Sequence, residues 1–180
     1  LDASYVSALR GGTRRAADVL AAARRHAANS GHPHADGLIA TAEMIAAYYG
    51  GRYADTLTYA DAAEEQLVSR CTHIAWELGV VRHHRLFALV YMGEMAECAR
   101  RAATLLADVL ERGDRHGEVY LRSGVLPFCD LARDDPTACI DGALGAVAAW
   151  AQPRWLVQHY SVFMAVTQGH LYRGDGDAAA

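Results

Sequence analysis

Histidines are the first residues in this chain whose chemistry could matter, because imidazole is a common metal ligand. Nine are present. His32 and His34 flank a proline in a Ser-Gly-His-Pro-His run, which we interpret as a solvated loop between helices. His73 and Glu77 are four residues apart, so on a helix both could reach one ion. No third ligand accompanies them and the HExxH motif is absent, so we predict no metal cofactor.

Candidates for nucleophilic catalysis are equally sparse. No two of the cysteines have CxxC spacing, and each lies in an apolar helical context, which favours buried thiols. They are Cys71, Cys98, Cys129 and Cys139. There is no GxSxG motif for a nucleophilic serine. Of the carboxylate pairs, Glu64-Glu65 is typical of a solvated helix face and Asp134-Asp135 of a helix start. We therefore expect no enzymatic activity of this chain.

The composition narrows the class of protein further. The 180 residues carry a net charge of -4, and the sequence pI is about 6.1. A nucleic-acid-binding protein usually has a basic excess or stripe, so no nucleic-acid partner is expected. No apolar run approaches the roughly 20 residues of a membrane span and no signal-peptide pattern is present. We expect a cytoplasmic chain without a membrane partner, forming one domain over 1–180 cut from a longer protein.

A short motif recurs at a fixed interval along the chain. In its clearest copy, Tyr48-Tyr49-Gly50, an apolar segment ends in a glycine, and a polar residue and a new segment follow. Similar marks lie near positions 11, 50, 93, 134 and 174. Their interval of about 41 residues is the signature of a repeat architecture.

Helical periodicity fills the intervals between these marks. The segments predicted as helices are 14–29, 38–49, 53–70, 74–92, 95–111, a segment containing Arg122 and Phe128, 135–151 and 155–172. Pro127 should kink the segment that contains Arg122 and Phe128, and Pro153 should end the helix before it. We predict an all-α chain of about eight helices in antiparallel pairs. Because such pairs have apolar faces on two sides, they should stack into an α-solenoid.

Two resemblances support this interpretation. The run Gly51-Arg52-Tyr53-Ala54-Asp55-Thr56-Leu57-Thr58-Tyr59-Ala60 resembles the turn and second helix of a tetratricopeptide repeat. The runs RCTHIAWELGVVR, YMGEMAECARR, LARDDPTAC and LYRGDG are similar to the C-terminal helical tail of large bacterial serine/threonine kinases that also carry an ATPase module. The resemblance implies a regulatory or recognition tail, since kinase and Walker motifs are absent from these residues.

Candidate binding residues follow from the repeat. The first helix of each pair lines the concave face of a solenoid, where ligands dock. Residues on these helices that are typical of binding sites are Trp76, Arg82, Arg85, Arg122, Trp155, Gln158 and His159. Arg82 and Arg85 have two interpretations: they pair with carboxylates of neighbouring helices, or they form a basic groove for an acidic or C-terminal peptide.

The sequence therefore predicts a non-catalytic module that binds a protein or peptide partner along its concave face. Two alternatives stay open. One is an effector or small-molecule sensor with a pocket between helices. The other is self-association, with a homodimer formed through the terminal repeat around residues 177–180.

Overall fold

The computed structural model describes residues 12–150, 152 and 154–180. Within those ranges every regular element is a helix and no strand occurs, so the all-α prediction is confirmed. The repeat mark near residue 11 and the predicted stop at Pro153 lie outside the described residues. No helix among the described residues is long and apolar enough to cross a membrane.

The helices match most of the predicted segments. They are α1 (Gly12–Ser30), α2 (Pro33–Tyr49), α3 (Tyr53–Arg70), α4 (Ala75–Met92), α5 (Met95–Glu111), α6 (Arg115–Tyr120), α7 (Leu126–Ala132), α8 (Pro136–Ala149), α9 (Val157–Tyr172) and α10 (Gly176–Ala179). A π turn, Leu121–Val125, joins α6 directly to α7. The predicted bounds of α3 and α5 are confirmed, and the other bounds shift by a few residues.

The start of α2 corrects the prediction of a loop around the first histidines. The helix begins at Pro33, and the side chain of His32 accepts a hydrogen bond from the backbone N–H of His34. Proline suits the first helical position because its missing N–H is not needed there. His34 therefore lies in the first turn of α2 and not in a solvated loop.

Residues in the left-handed backbone region mark the turns between helices. They are Gly31, Gly51, His73, Gly93, Gly113, Asp134 and Gly174. From Gly31 to Asp134, each interval between successive members holds one helix and its turn, with α6, the π turn and α7 acting as one helix. The interval from Asp134 to Gly174 holds two helices, α8 and α9. The predicted repeat interval therefore spans two helices.

Three of these turns share one hydrogen-bonding pattern. Asp114, Asp135 and Asp175 each follow a left-handed residue and donate their N–H to the carbonyl five residues earlier, at 2.8, 2.9 and 3.0 Å. This is the long bond of a Schellman motif, which ends a helix. The same aspartates then accept a backbone N–H three residues ahead, at 2.9, 2.9 and 3.0 Å, which caps the next helix. In each of these turns a run of three residues, such as Arg112-Gly113-Asp114, thus ends one helix and starts the next.

Two compact units make up the chain, Leu1–Met92 and Gly93–Ala180, called here unit 1 and unit 2. In unit 1, α2 packs against α1, α3 and α4, and α3 packs against α4. Its core is formed by Met44, Ile45, Ala60, Ala63, Leu67 and Val81. Small side chains permit close approach: a Cβ added at Gly37 would lie 2.6 Å from Leu67 Cδ2. The prediction of one domain over 1–180 stays a prediction.

In unit 2, α8 packs against α6, α7 and α9, and α5 packs against α6 and α7. The irregularity expected at Pro127 is a π turn, in which the N–H of Leu126 bonds to the carbonyl of Leu121, five residues earlier. In a regular helix the proline ring would clash with the carbonyl four residues before it. The wider turn relieves that clash, so α6, the π turn and α7 follow one another without a break.

Paired glycine substitutions test the role of the left-handed turns. Gly113 has φ 67 and Gly145 lies in α8, and a Cβ at either position would meet no atom within 4 Å. Gly113→Ala should therefore destabilise the protein by about 1 to 2 kcal/mol through backbone strain alone. Gly145→Ala, the matched control, should stabilise it by about 0.5 to 1 kcal/mol. Urea unfolding measures both, and a stabilising Gly113→Ala would contradict the assignment.

Candidate functional site

The predicted site residues fall in both units. Trp76, Arg82 and Arg85 lie on α4 of unit 1, and the other predicted residues belong to unit 2.

An ion-pair network occupies the guanidinium groups of unit 1. Arg82 Nε lies 2.8 Å from Glu64 Oε1, and Arg85 Nη1 lies 2.5 Å from Glu64 Oε2. Arg85 Nη2 also lies 2.7 Å from Asp61 Oδ1. Both carboxylates belong to α3, which packs against α4. These contacts correspond to the interpretation in which Arg82 and Arg85 pair with carboxylates of a neighbouring helix.

Glu64 is the centre of this network. Its burial alone would raise the pKa of the carboxyl, but hydrogen bonds from Arg82 and Arg85 outweigh burial and hold the pKa below its usual value. The side chain of Arg85 is only 10% exposed, so its charge depends on these carboxylates for compensation. The network therefore stabilises the contact between α3 and α4.

Next to this network, the start of α4 holds a second polar contact. Glu77 is buried, and its Oε1 lies 2.7 Å from His34 Nε2 on α2. His73, four residues before Glu77, is exposed and lies before the helix in the left-handed region. The neighbouring Trp76 is exposed. Among the described residues no group of three His, Cys, Asp or Glu side chains could hold a metal ion.

Unit 2 brings two of the predicted residues, Trp155 and His159, together in a series of ring contacts, called here the ring ladder. Its members, in order of contact, are Trp155, His159, Trp150, His116 and Tyr120. Successive ring centroids are 5.1, 5.6, 5.9 and 6.1 Å apart. These distances lie within the range of favourable aromatic contacts.

Hydrogen bonds fix the orientation of the ring ladder. His159 Nδ1 accepts the backbone N–H of Leu156 at 3.1 Å, so the neutral ring carries its proton on Nε2. Gln158, a third predicted residue, is only 5% exposed, and its Nε2 lies 2.8 Å from His116 Nε2. Trp155, by contrast, is 74% exposed and stacks on His159 with an interplanar angle of 26°. The ladder thus has a buried ring, Trp150, at its centre, hydrogen-bonded histidines on either side of it, and the exposed Trp155 at one end.

The position of Trp155 corrects one detail of the prediction. It was expected to open the last long helix, but α9 begins at Val157 and its N-cap residue is Leu156. Trp155 therefore lies in the connection before the helix, where stacking on His159 holds it.

Arg122, the last predicted residue, lies on the π turn of unit 2. Its Nε is 3.1 Å from Glu118 Oε1, and Arg115 Nη1 is 2.8 Å from Glu118 Oε2. Glu118 is buried. Arg122 therefore helps to neutralise a buried carboxylate on the adjoining turn of its own helix.

Several functional candidates were missed by reasoning from the sequence. His116, Tyr120 and Trp150 complete the ring ladder, and His34 is the partner of Glu77. The separation of the paired residues along the sequence could have indicated two of these contacts. His34 and Glu77 are 43 residues apart, and His116 and Gln158 are 42 apart, both close to the repeat interval.

Comparison with models of protein families, with curated proteins and with solved structures found no match.

Substitution of Glu64 tests the network in unit 1. Glu64→Gln places an amide against two guanidinium groups, so we expect a loss of about 1 to 3 kcal/mol in the free energy of unfolding at pH 7. The lowered pKa of Glu64 adds a dependence on pH. The contribution is complete above the unfolded-state pKa of about 4.3 and is lost as pH falls through the lower folded-state pKa.

The difference between wild type and Glu64→Gln should therefore shrink on acidification, as followed by urea unfolding between pH 7 and pH 3. Glu65→Gln is the matched control, since Glu65 is exposed and adjacent; its effect should stay within about 0.5 kcal/mol. Equal losses in the two variants would show that the ion pairs are not responsible.

Proposed function

We propose that this chain is a non-catalytic interaction module built from stacked tetratricopeptide-like helix pairs. The regular left-handed turns support this architecture, because each interval between them up to Asp134 holds one helix and its turn. Two such intervals form one antiparallel pair, and pairs that are apolar on two sides bury those faces by stacking. The resemblance to the tails of bacterial kinase–ATPase proteins supports a regulatory role in a signalling protein of that kind.

The observation that carries the proposed function is the exposed but fixed Trp155. Most exposed tryptophans would lose conformational freedom on binding, and that loss opposes association. Here stacking on His159, whose ring is itself held by a backbone N–H, restricts Trp155 in advance. Tryptophan is among the residue types that dominate binding energy at protein interfaces. The ring ladder is therefore the proposed contact surface for a protein or peptide partner.

The charges of the described residues favour the ring ladder over a basic groove. Arg82 and Arg85 contact Glu64 and Asp61, and Arg122 contacts Glu118. An acidic peptide would have to displace these carboxylates from the guanidinium groups. The displaced carboxylates would then have no opposite charge to pair with, which is unfavourable. A partner that packs on aromatic and imidazole rings requires no such exchange.

Peptide selection followed by substitution tests the contact surface. Peptides selected from a displayed random library on the full chain should bind Trp155→Ala at least about tenfold more weakly than wild type, which is the effect of losing a hot-spot residue. The melting temperature should stay unchanged because Trp155 is mostly exposed. Isothermal titration calorimetry with a synthetic copy of the peptide gives the affinity.

Trp76→Ala is the matched control, since Trp76 is another exposed tryptophan but belongs to unit 1. It should change the affinity less than about twofold. Peptides that bind Trp155→Ala as tightly as wild type, or a library that yields none, would contradict the proposal. The proposed relation to kinase–ATPase proteins is tested on the gene: the reading frame that encodes this chain should also encode a kinase or Walker motif.

Self-association is the second candidate function, and exposed apolar side chains on the last long helix favour it. Val157, Tyr160, Phe163, Leu171 and Tyr172 of α9 are all more than half exposed. Large exposed apolar patches are uncommon on monomers, and five exposed apolar side chains on one helix are candidates for such a patch. A second copy of the chain that packs α9 against α9 would cover it.

Sedimentation over a range of concentrations tests this candidate. The mass should rise from 19.4 kDa towards twice that value as concentration increases. Phe163→Glu should keep the chain monomeric, because a charge in an apolar interface is costly. Leu144→Glu is the matched control on α8, where Leu144 is also exposed; it should associate like wild type. A wild-type mass that stays at the monomer value would exclude self-association.

A further inference from the structure

Two buried thiols of unit 2 lie side by side. Cys98 on α5 and Cys129 on α7 are 0% and 1% exposed, and their sulfurs are 3.8 Å apart. The helices that carry them pack against each other. None of the four cysteines is in a disulfide, so this is a reduced dithiol in a helix–helix contact.

The geometry of this pair suits a covalent link. A disulfide needs a sulfur–sulfur distance of about 2.05 Å. The sulfurs must therefore approach by about 1.8 Å, and rotation of either side chain about its Cα–Cβ bond moves its sulfur farther than that. The other cysteines are placed differently. Cys139 donates its S–H to the carbonyl of Ala165 at 3.4 Å, and Cys71 belongs to unit 1.

We propose that Cys98 and Cys129 form an oxidation site, which a hydroperoxide converts into a disulfide linking α5 to α7. In the first step one thiol loses its proton and the thiolate attacks an oxygen of hydrogen peroxide. The O–O bond breaks, the leaving hydroxide takes up that proton, and a sulfenic acid and water form. In the second step the other sulfur attacks the sulfenic sulfur, the S–O bond breaks, and the disulfide and a second water form. Two thiols lose two electrons, and hydrogen peroxide accepts them.

Either sulfur can start the reaction, since the thiolate is the nucleophile. The sulfur that is oxidised first becomes the sulfenic acid, and the other sulfur, 3.8 Å away, resolves it.

Access to the pair requires a local opening, because both sulfurs are buried. The contact is made by α5 and α7, so an opening that separates these two helices exposes the thiols to a small oxidant. Reclosure brings the sulfenic acid back to the remaining thiol. The site is independent of the ring ladder and of the proposed binding function.

Mass spectrometry of the whole chain tests this site. The protein is treated with hydrogen peroxide, quenched with catalase, unfolded and alkylated with iodoacetamide. We expect two alkyl groups per chain, against four on the untreated protein. Trypsin should then release residues 86–100 joined to residues 123–133, a product that dithiothreitol separates.

Matched variants make the outcome decisive. The double variant Cys71→Ser/Cys139→Ser keeps only the proposed pair, so it should form the same linked peptide to the same extent. Cys98→Ala should abolish the link and leave Cys129 as a sulfenic or sulfinic acid. Should Cys98→Ala fail to fold, as circular dichroism would show, the double variant still decides. Four alkyl groups after peroxide treatment, or links only between chains, would overturn the proposal.

Discussion

The shortness of the connections between helices is the constraint on which the rest of the structure depends. A helix that must reverse within a very short connection needs a left-handed residue at its end and a cap at once for the next helix. The triplets Arg112-Gly113-Asp114, Arg133-Asp134-Asp135 and Arg173-Gly174-Asp175 meet both requirements. Because left-handed residues recur at a nearly constant interval, helix length is nearly constant as well, and equivalent positions of successive helix pairs can make equivalent contacts.

Polar contacts near the starts of helices illustrate this equivalence. In unit 1, His34 of α2 contacts Glu77 of α4; in unit 2, His116 of α6 contacts Gln158 of α9. In both contacts a histidine at the second position of its helix pairs with a buried polar residue in the first turn of a helix about one repeat later. A buried polar group needs such a partner, so each pair also fixes the register of its two helices.

Prediction from the sequence succeeded where the determinants are local. Helical periodicity and the glycines give α3 and α5 with correct bounds and place the turns at 93, 134 and 174. The mark near position 134 has no glycine, and Asp134 takes the left-handed conformation there. Aspartate can replace glycine at this position because it tolerates this region better than most residues.

Prediction failed where a residue's role depends on a distant partner. The spacing of His73 and Glu77 drew attention to Glu77, but His73 lies outside the helix, and the partner of Glu77 is His34, 43 residues away. Trp150 and His116 were overlooked for the same reason, since each ring becomes notable only beside the others. The arginines were found because of their type, but the carboxylates that neutralise them lie on another helix or on an adjoining turn.

The predicted arginines and the predicted residues of the ring ladder differ in how their interactions are used within the fold, and this difference is informative about binding. In unit 1 the charged groups of Arg82 and Arg85 face carboxylates, so most of their interaction energy is already used within the fold. In unit 2 the hydrogen bonds of Gln158 and His159 hold the rings of the ladder in place. They do not involve Trp155, which stays mostly exposed to solvent. Recognition requires groups that are oriented but not yet satisfied. This criterion favours the ring ladder over the arginine network as the proposed contact surface.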